Sequence, residues 1–234
     1  MSPAPAHLLG LRFVVAFAIL AVLPLVVWDL WPQLGVDRPA LGDAEQLGLA
    51  MLGFGIACLA VLGFGLWQPP SQPWGRWHVA TTLRTYAAFL IAWVVVLVGY
   101  LHAARALGEP VEAQAQLRLL ASDEAGGWAF WMVVAGSVLG APLAEELVFR
   151  GYLQGALQQL LPPPLAIAVT AVVFGLCHTM PYAVPTALLG ALFGWLYWRR
   201  GCLWPAVLAH AVHNGLTVAT TVFWPASLDL LYPR

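Results

Sequence analysis

The chain has 234 residues, of which 61% are hydrophobic and only 9% are charged, and its formal net charge is −1. A soluble domain has about a quarter of its residues charged, so this composition excludes a water-soluble globular protein and indicates an integral membrane protein. The near-neutral charge and the lack of a basic block argue against a nucleic-acid partner.

Three long apolar stretches fill the first half of the chain, at residues 8–28, 47–67 and 85–104. Each is long enough to cross a bilayer, which takes about 20 apolar residues. The first is interpreted as a retained span and not as a signal peptide, because its basic n-region is weak and no small-residue cleavage site follows. Residues 1–127 are therefore predicted to form three spans without a recognisable motif.

The second half of the chain predicts four further spans. One runs into Glu145, and residues 151–198 contain no formal charge and have room for two more. Prolines at 162–164 and at Met180-Pro181 are expected to break that stretch, and a last span covers about residues 202–224. The predicted fold class is an all-α, polytopic membrane helix bundle forming one domain over residues 1–234, with about seven spans, six to eight being compatible.

Arginines give the bundle a predicted orientation. Arg76, Arg84 and Arg199-Arg200 fall at one end of the predicted spans, and the loops at the other end are acidic. Because positively charged loops face the cytoplasm, the N-terminus is predicted to be cytoplasmic. All ten basic residues are arginines, which together with the excess of Ala, Gly, Pro and Trp suggests a GC-rich bacterial genome and hence a cell inner (plasma) membrane.

Polar residues interrupt the last spans in three places. They are Glu145, Glu146 and Arg150; His178, which follows Phe174 by four residues; and His210, His213 and Asn214. Ionisable side chains inside spans are costly and usually functional. Glu146 and Arg150, four residues apart, are predicted to pair on one helix face, whereas Glu145 lies about 100° around the helix and is free for acid–base work.

Depth along the helices tests whether these places can meet. Glu145 and His210 are predicted to lie in the cytoplasmic half of the membrane, but His178 lies about 21 Å along its own span at 1.5 Å per residue, towards the outer side. A tilted fifth helix, or one that begins outside the membrane, would reconcile the three. The site is expected to open towards the cytoplasm or the inner leaflet. Taken alone, His178 is better explained as a core histidine bonded to a backbone carbonyl.

The polar residues resemble the motifs of the CPBP family of intramembrane proteases, which contains type II CAAX prenyl endopeptidases and bacteriocin-processing, Abi-like relatives. The family pattern is Glu-Glu-x-x-x-Arg, then Phe-x-x-x-His, then His-x-x-x-Asn/Asp. Order and spacing match in this chain, and the resemblance covers residues 128–220, the predicted catalytic core. It implies that Glu145 and His178 activate a water, that His210 and Asn214 stabilise the oxyanion, and that Glu146, Arg150 and Phe174 support them.

The resemblance implies an enzyme, an intramembrane endopeptidase acting on a membrane-associated protein or peptide in the lipid bilayer. C-terminal processing of CAAX-like tails or of sorting signals is one form of that activity. No cofactor is expected, because a glutamate-activated water needs no metal; if a divalent metal is bound, its ligands are Glu145, His178 and His210. The open alternative is a non-catalytic scaffold, an immunity protein or a small-ion transporter that uses the same buried groups.

Overall fold

The computed structural model of the protein describes residues 4–36, 41–122, 126–178 and 182–232. Within these ranges the chain forms α-helices joined by short connections, which confirms the predicted all-α membrane helix bundle. The helices are α1 (Ala6–Leu30, extended by a 3-10 turn at Trp31–Leu34), α2 (Asp43–Trp67), α3 (Val79–Ala106), α4 (Ala115–Leu120), α5 (Trp128–Leu157), α6 (Pro163–Leu176), α7 (Ala183–Arg200), α8 (Trp204–Phe223) and α9 (Ser227–Leu231).

Five of these helices, α1, α2, α3, α5 and α8, are long and apolar enough to cross a membrane. The fifth predicted span corresponds to α6, which has 14 residues and is therefore about 21 Å long, short of the roughly 30 Å hydrocarbon core. The sixth corresponds to α7, which has 18 residues and ends in Arg199 and Arg200. The proline break predicted at Met180-Pro181 lies outside the described residues.

Helix α5 occupies the centre of the bundle. It packs against α1 and α2 on one side and against α6, α7 and α8 on the other. Its segment Leu147–Gln154 is almost completely buried, and Leu147, Val148 and Tyr152 are fully buried. Helix α3 packs on α7 and α8, and in the described ranges it forms no extensive interface with α2.

The two ends of the bundle differ in composition. One end, called here the arginine face, contains the 68–78 connection together with Arg12, Arg76, Arg84, Arg199 and Arg200. Its parts are bonded together: Arg12 donates to the Pro69 carbonyl at 2.7 Å, and the Leu203 amide donates to the Pro73 carbonyl at 3.1 Å. Trp77 stacks on Trp204 with ring centroids 4.0 Å apart. The opposite end, called the acidic face, contains α4 and α9.

Two π-helical turns interrupt α5, at Gly136–Gly140 and Leu147–Gln154. The first has a cause in the sequence, because Pro142 has no N–H and its ring clashes with the preceding turn of an α-helix. The wider turn accommodates that ring. The Ala141 amide then bonds to the Gly136 carbonyl, so that the Ser137 carbonyl loses its usual α-helical donor. Turns of this kind are frequent at functional sites.

Gly175 lets the short helix α6 approach α7 closely, and we expect Gly175→Ala to destabilise the protein. A Cβ at this position would lie 2.3 Å from the Ala183 carbonyl oxygen and 2.7 Å from the Ala187 Cβ. Overpacking of this kind costs about 1–3 kcal/mol, measurable as a lower melting temperature of the purified protein in detergent. Gly55→Ala, where a Cβ meets nothing within 4 Å, is the matched control. Equal melting temperatures for the two variants would contradict the close packing.

Candidate active site

The four residues predicted to be catalytic line a single cavity inside the bundle. Glu145, His178, His210 and Asn214 all border it, and its volume is about 790 Å³. Its wall is mostly apolar, and α2, α3, α5, α7 and α8 all contribute to it. The structure thus brings the three polar places of the sequence together, although they are up to 69 residues apart in the chain.

The depth of His178 is close to that of Glu145. Helix α6 begins at Pro163 next to the arginine face and ends at Leu176, two residues before His178, so His178 lies about 21 Å along it, as counted from the sequence. Helix α5 continues to Leu157, which puts Glu145 about 18 Å from the same face at 1.5 Å per residue. The two residues therefore reach the same cavity, because the fourth span is longer than predicted. The cavity also continues towards the acidic face, opposite the N-terminus, so the predicted cytoplasmic opening and the predicted cytoplasmic N-terminus cannot both hold.

Glu146 forms a three-residue ionic centre beneath the cavity. Its Oε1 accepts from Arg150 Nη1 at 3.1 Å and from His210 Nδ1 at 2.9 Å. The side chains of Glu146 and Arg150 are fully buried, which agrees with the predicted pairing. The contact with His210 was not predicted, because it joins two helices and no spacing within one helix indicates it. Glu146 therefore orients a residue of the cavity as well as holding α5.

Arg150 is fully buried among the described residues. Its Nη2 donates to the Gly190 carbonyl at 2.9 Å, and its guanidinium lies 4.5 Å from the centre of the Phe174 ring and 5.5 Å from that of Phe193. Aromatic faces stabilise a cation at such distances. Phe174 thus has a visible role, because it covers the arginine on one side and contacts His178 on the other, with ring centroids 4.9 Å apart.

The tautomer of His210 follows from its partner. A carboxylate only accepts hydrogen bonds, so Nδ1 must carry the proton that it shares with Glu146. Nε2 then faces Glu145, whose Oε2 lies 4.0 Å away. This separation is too long for a direct hydrogen bond and leaves the two groups facing the same space. Glu145 is also the less buried of the two carboxylates, with 16% of its side chain exposed.

His178 and Asn214 are both held by backbone carbonyls. His178 Nδ1 bonds to the Phe174 carbonyl at 2.9 Å, as expected for a core histidine, but the residue also lines the cavity. Asn214 Nδ2 donates to the Ser137 carbonyl at 2.7 Å. That carbonyl is available because of the π turn before Pro142, so a proline in one helix helps to place an amide of another.

Several residues of α3 line the cavity, although the sequence did not predict them as part of the site. The Tyr86 hydroxyl bonds to His213 Nδ1 at 3.0 Å, and the ring of Trp93 stands edge-on to His213 with centroids 4.6 Å apart. Trp93 Nε1 also donates to the Pro185 carbonyl at 3.0 Å. Tyr86 and Trp93 are seven residues apart and share a helix face. A tyrosine in an apolar span gives little signal, because it is common there without a partner.

We expect Tyr86→Phe to lower stability by about 0.5–1.5 kcal/mol, the usual net value of a buried hydrogen bond. The change removes only the hydroxyl that bonds to His213. Tyr100→Phe is the matched control, because the Tyr100 hydroxyl forms no hydrogen bond with the described part of the chain. Unfolding of both variants in detergent by a chemical denaturant measures the difference, and equal values would show that the Tyr86–His213 bond contributes nothing.

The described residues of the cavity do not fit a resident metal ion. Across residues 4–36, 41–122, 126–178 and 182–232, no group of three or more His, Cys, Asp or Glu side chains is arranged to hold one. Glu145, His178 and His210 share the cavity but do not form such a group. His210 Nδ1 is already engaged by Glu146, and Asn214 Nδ2 is bonded to a carbonyl.

Comparisons with known proteins match the segment of the chain that contains the candidate site residues. Residues 127–216 match the protein family described as "Type II CAAX prenyl endopeptidase Rce1-like". A Bacillus subtilis (strain 168) protein named "Putative membrane peptidase YdiL" is 30% identical over 88 residues, which are 37% of this chain and 36% of that protein. No solved structure matches the chain.

The segment 127–216 is therefore Rce1-like, and the resemblance to the CPBP family that the motifs predicted is confirmed for it. The predicted enzyme class, a CPBP-type peptide hydrolase, is the class of the family that this segment matches. Glu145, His178, His210 and Asn214 all lie within the matched residues. The 88 residues aligned with the Bacillus subtilis protein cover only about a third of that protein's length.

Proposed function

We propose that the protein is an intramembrane endopeptidase that hydrolyses a peptide bond of a membrane-associated protein or peptide. The observation that carries the proposal is the convergence of Glu145, His178, His210 and Asn214 on one cavity within an Rce1-like segment. Residues 128–220 are the proposed catalytic core, and the three N-terminal spans complete the cavity wall through α2 and α3. We also propose that the protein lies in the cell inner membrane.

Glu145 is the proposed general base. A water between Glu145 and His178 would lose its proton to the Glu145 carboxylate as its oxygen attacks the carbonyl carbon of the scissile peptide. The carboxylate then holds the proton that the leaving amine needs when the carbon–nitrogen bond breaks. Positioned groups of this kind contribute about 10²- to 10⁴-fold to a rate. His178, fixed by the Phe174 carbonyl, would orient the water.

His210 and Asn214 are proposed to stabilise the oxyanion that forms on the peptide carbonyl. Asn214 has a second amide hydrogen besides the one bonded to Ser137, and it borders the cavity. For His210 to donate from Nε2 it must also carry a proton there, and the buried carboxylate of Glu146 would stabilise the resulting cation. Such donors act strongly when they are held in place before the reaction, which the Glu146 and Ser137 contacts provide.

A membrane-associated substrate suits the shape of the site. The cavity lies inside the bundle, and residues of both α2 and α3 line it. Leu90, Val94 and Leu97 of α3 border the cavity together with Met51 of α2, so that an apolar peptide segment would be in contact with apolar side chains throughout. C-terminal processing of a CAAX-like or sorting-signal substrate is one activity of this type.

The function is tested by comparing protein termini in membranes of the source organism by mass spectrometry. Three strains are needed: wild type, one lacking the gene, and one carrying Glu145→Gln. We expect the same peptide termini to disappear in the deletion strain and in the Glu145→Gln strain. Glu109→Gln, which neutralises an exposed acid on the α3–α4 connection, is the control and should retain every terminus.

A different pattern would overturn the proposal. If Glu145→Gln accumulates normally and restores the phenotype of the deletion strain with no loss of termini, the buried groups do not catalyse hydrolysis. The protein would then be a non-catalytic scaffold or immunity protein. The termini lost in the expected case would name the substrate and the bond that is cleaved.

A further inference from the structure

The charged residues outside the cavity are divided between the two ends of the bundle. Among the described residues, the arginine face has five arginines and no carboxylate. In the same ranges, the acidic face has six carboxylates and two arginines, Arg105 and Arg118; its carboxylates are those of Asp29, Asp43, Glu45, Glu109, Glu112 and Asp229.

The cavity, like the carboxylates, extends towards only one end of the bundle. From Glu145 it follows Thr217 and Thr221 along α8 and ends between Gln116 of α4 and Leu231 of α9. None of its lining residues belongs to the 68–78 connection or to the turn between α7 and α8. The cavity therefore reaches the acidic face and is closed towards the arginine face by the buried centre of α5.

Membrane electrostatics orient such a molecule. Cytoplasmic loops carry the excess of arginine and lysine, and the anionic cytoplasmic leaflet attracts basic residues near it. A membrane potential that is negative inside acts in the same direction on each positive charge. All three effects favour the arginine face in the cytoplasm, and the acidic face is repelled by the same field.

We propose that the cavity opens to the extracytoplasmic side, so that the protein acts on apolar peptide segments presented from the outer leaflet or from the space beyond it. This inference rests on the proposed function for its substrate, but the direction of opening is independent of it. Substrates would then be segments that have already been translocated, and their products would be released on the extracytoplasmic side of the membrane. A translocated sorting signal would therefore reach Glu145, whereas a cytoplasmic CAAX-like tail would not.

The orientation is tested by cysteine labelling in spheroplasts with a maleimide that does not cross membranes. Cys58, Cys177 and Cys202, which are free thiols, are first replaced by alanine. Ala115→Cys then reports on the acidic face and Gln159→Cys on the arginine face, since both positions are exposed. We expect Ala115→Cys to be labelled as fully in intact spheroplasts as after lysis, and Gln159→Cys to be labelled only after lysis.

A third variant, Thr217→Cys, tests the opening itself, because Thr217 lines the cavity on α8. We expect it to react with the reagent added outside, at a lower rate than Ala115→Cys. Labelling of Gln159→Cys in intact spheroplasts, or of Thr217→Cys only after lysis, would overturn the proposal. Labelling does not depend on enzymatic activity, so the same pattern is expected in a Glu145→Gln background. A failure of the proposed orientation is therefore distinguished from a failure of the proposed enzymatic function.

Discussion

Glu145→Gln is expected to lower the rate of peptide hydrolysis by about 10²- to 10⁴-fold, the contribution of a positioned acid–base group. Glutamine has nearly the same shape and fills the same space, but it cannot take a proton from water. Glu145 is not paired with Arg150, which bonds to Glu146 instead, so that the exchange leaves the buried ion pair intact. Activity should therefore fall without a comparable loss of stability.

Purified protein in proteoliposomes, with a peptide spanning the bond identified from the missing termini, provides the measurement under single-turnover conditions. Glu109→Gln is the control for loss of a negative charge and should hydrolyse at the wild-type rate. The melting temperature of Glu145→Gln must stay within a few degrees of the wild type. A variant that folds normally and keeps more than a tenth of the wild-type rate would exclude Glu145 as the general base.

Arg150→Met is expected to destabilise the protein by about 3–5 kcal/mol, the usual cost of removing one partner of a buried ion pair. The methionine side chain fits between the rings of Phe174 and Phe193, but the Glu146 carboxylate loses a charged donor and the Gly190 carbonyl loses a hydrogen bond. His210 then remains the only partner of Glu146 among the described residues. The ring of His210 should therefore be held less firmly in its orientation.

Thermal and denaturant unfolding in detergent measure this loss, and the double variant Glu146→Gln with Arg150→Met provides the comparison. Removing both charges should recover part of the stability, because no unpaired charge is then buried. Arg84→Met, at an exposed position of α3, controls for the loss of an arginine. If Arg150→Met and Arg84→Met unfold alike, the buried centre does not stabilise the fold.

The helices were predictable from the sequence to within a few residues because lipid imposes long apolar runs. Predicted residues 47–67 and 85–104 fall within α2 and α3, and both predictions and structure end α2 at Trp67. The fourth span was interpreted as running into Glu145, since charges normally end a span. In the structure α5 continues to Leu157, because Glu146 and Arg150 neutralise each other and the helix can remain buried around them.

The site was predictable where it depends on spacing within one helix and not where it depends on contacts between helices. The pairing of Glu146 with Arg150 follows from a four-residue separation. Its further bond to His210, the bond of Asn214 to Ser137 and the depth of His178 depend on how α5, α6 and α8 are placed. The roles of the catalytic residues stay a prediction that the kinetic experiments address.

The attachment of α3 has a consequence for the speed of turnover. This helix forms the lipid-facing wall of the cavity and is held by two polar contacts at its middle, Tyr86 to His213 and Trp93 to the Pro185 carbonyl. A displacement of α3 away from α7 and α8 would break both bonds, and opening of such a wall often limits how fast an enzyme releases its product. The strength of these two bonds would thus set how long a peptide remains inside the bundle.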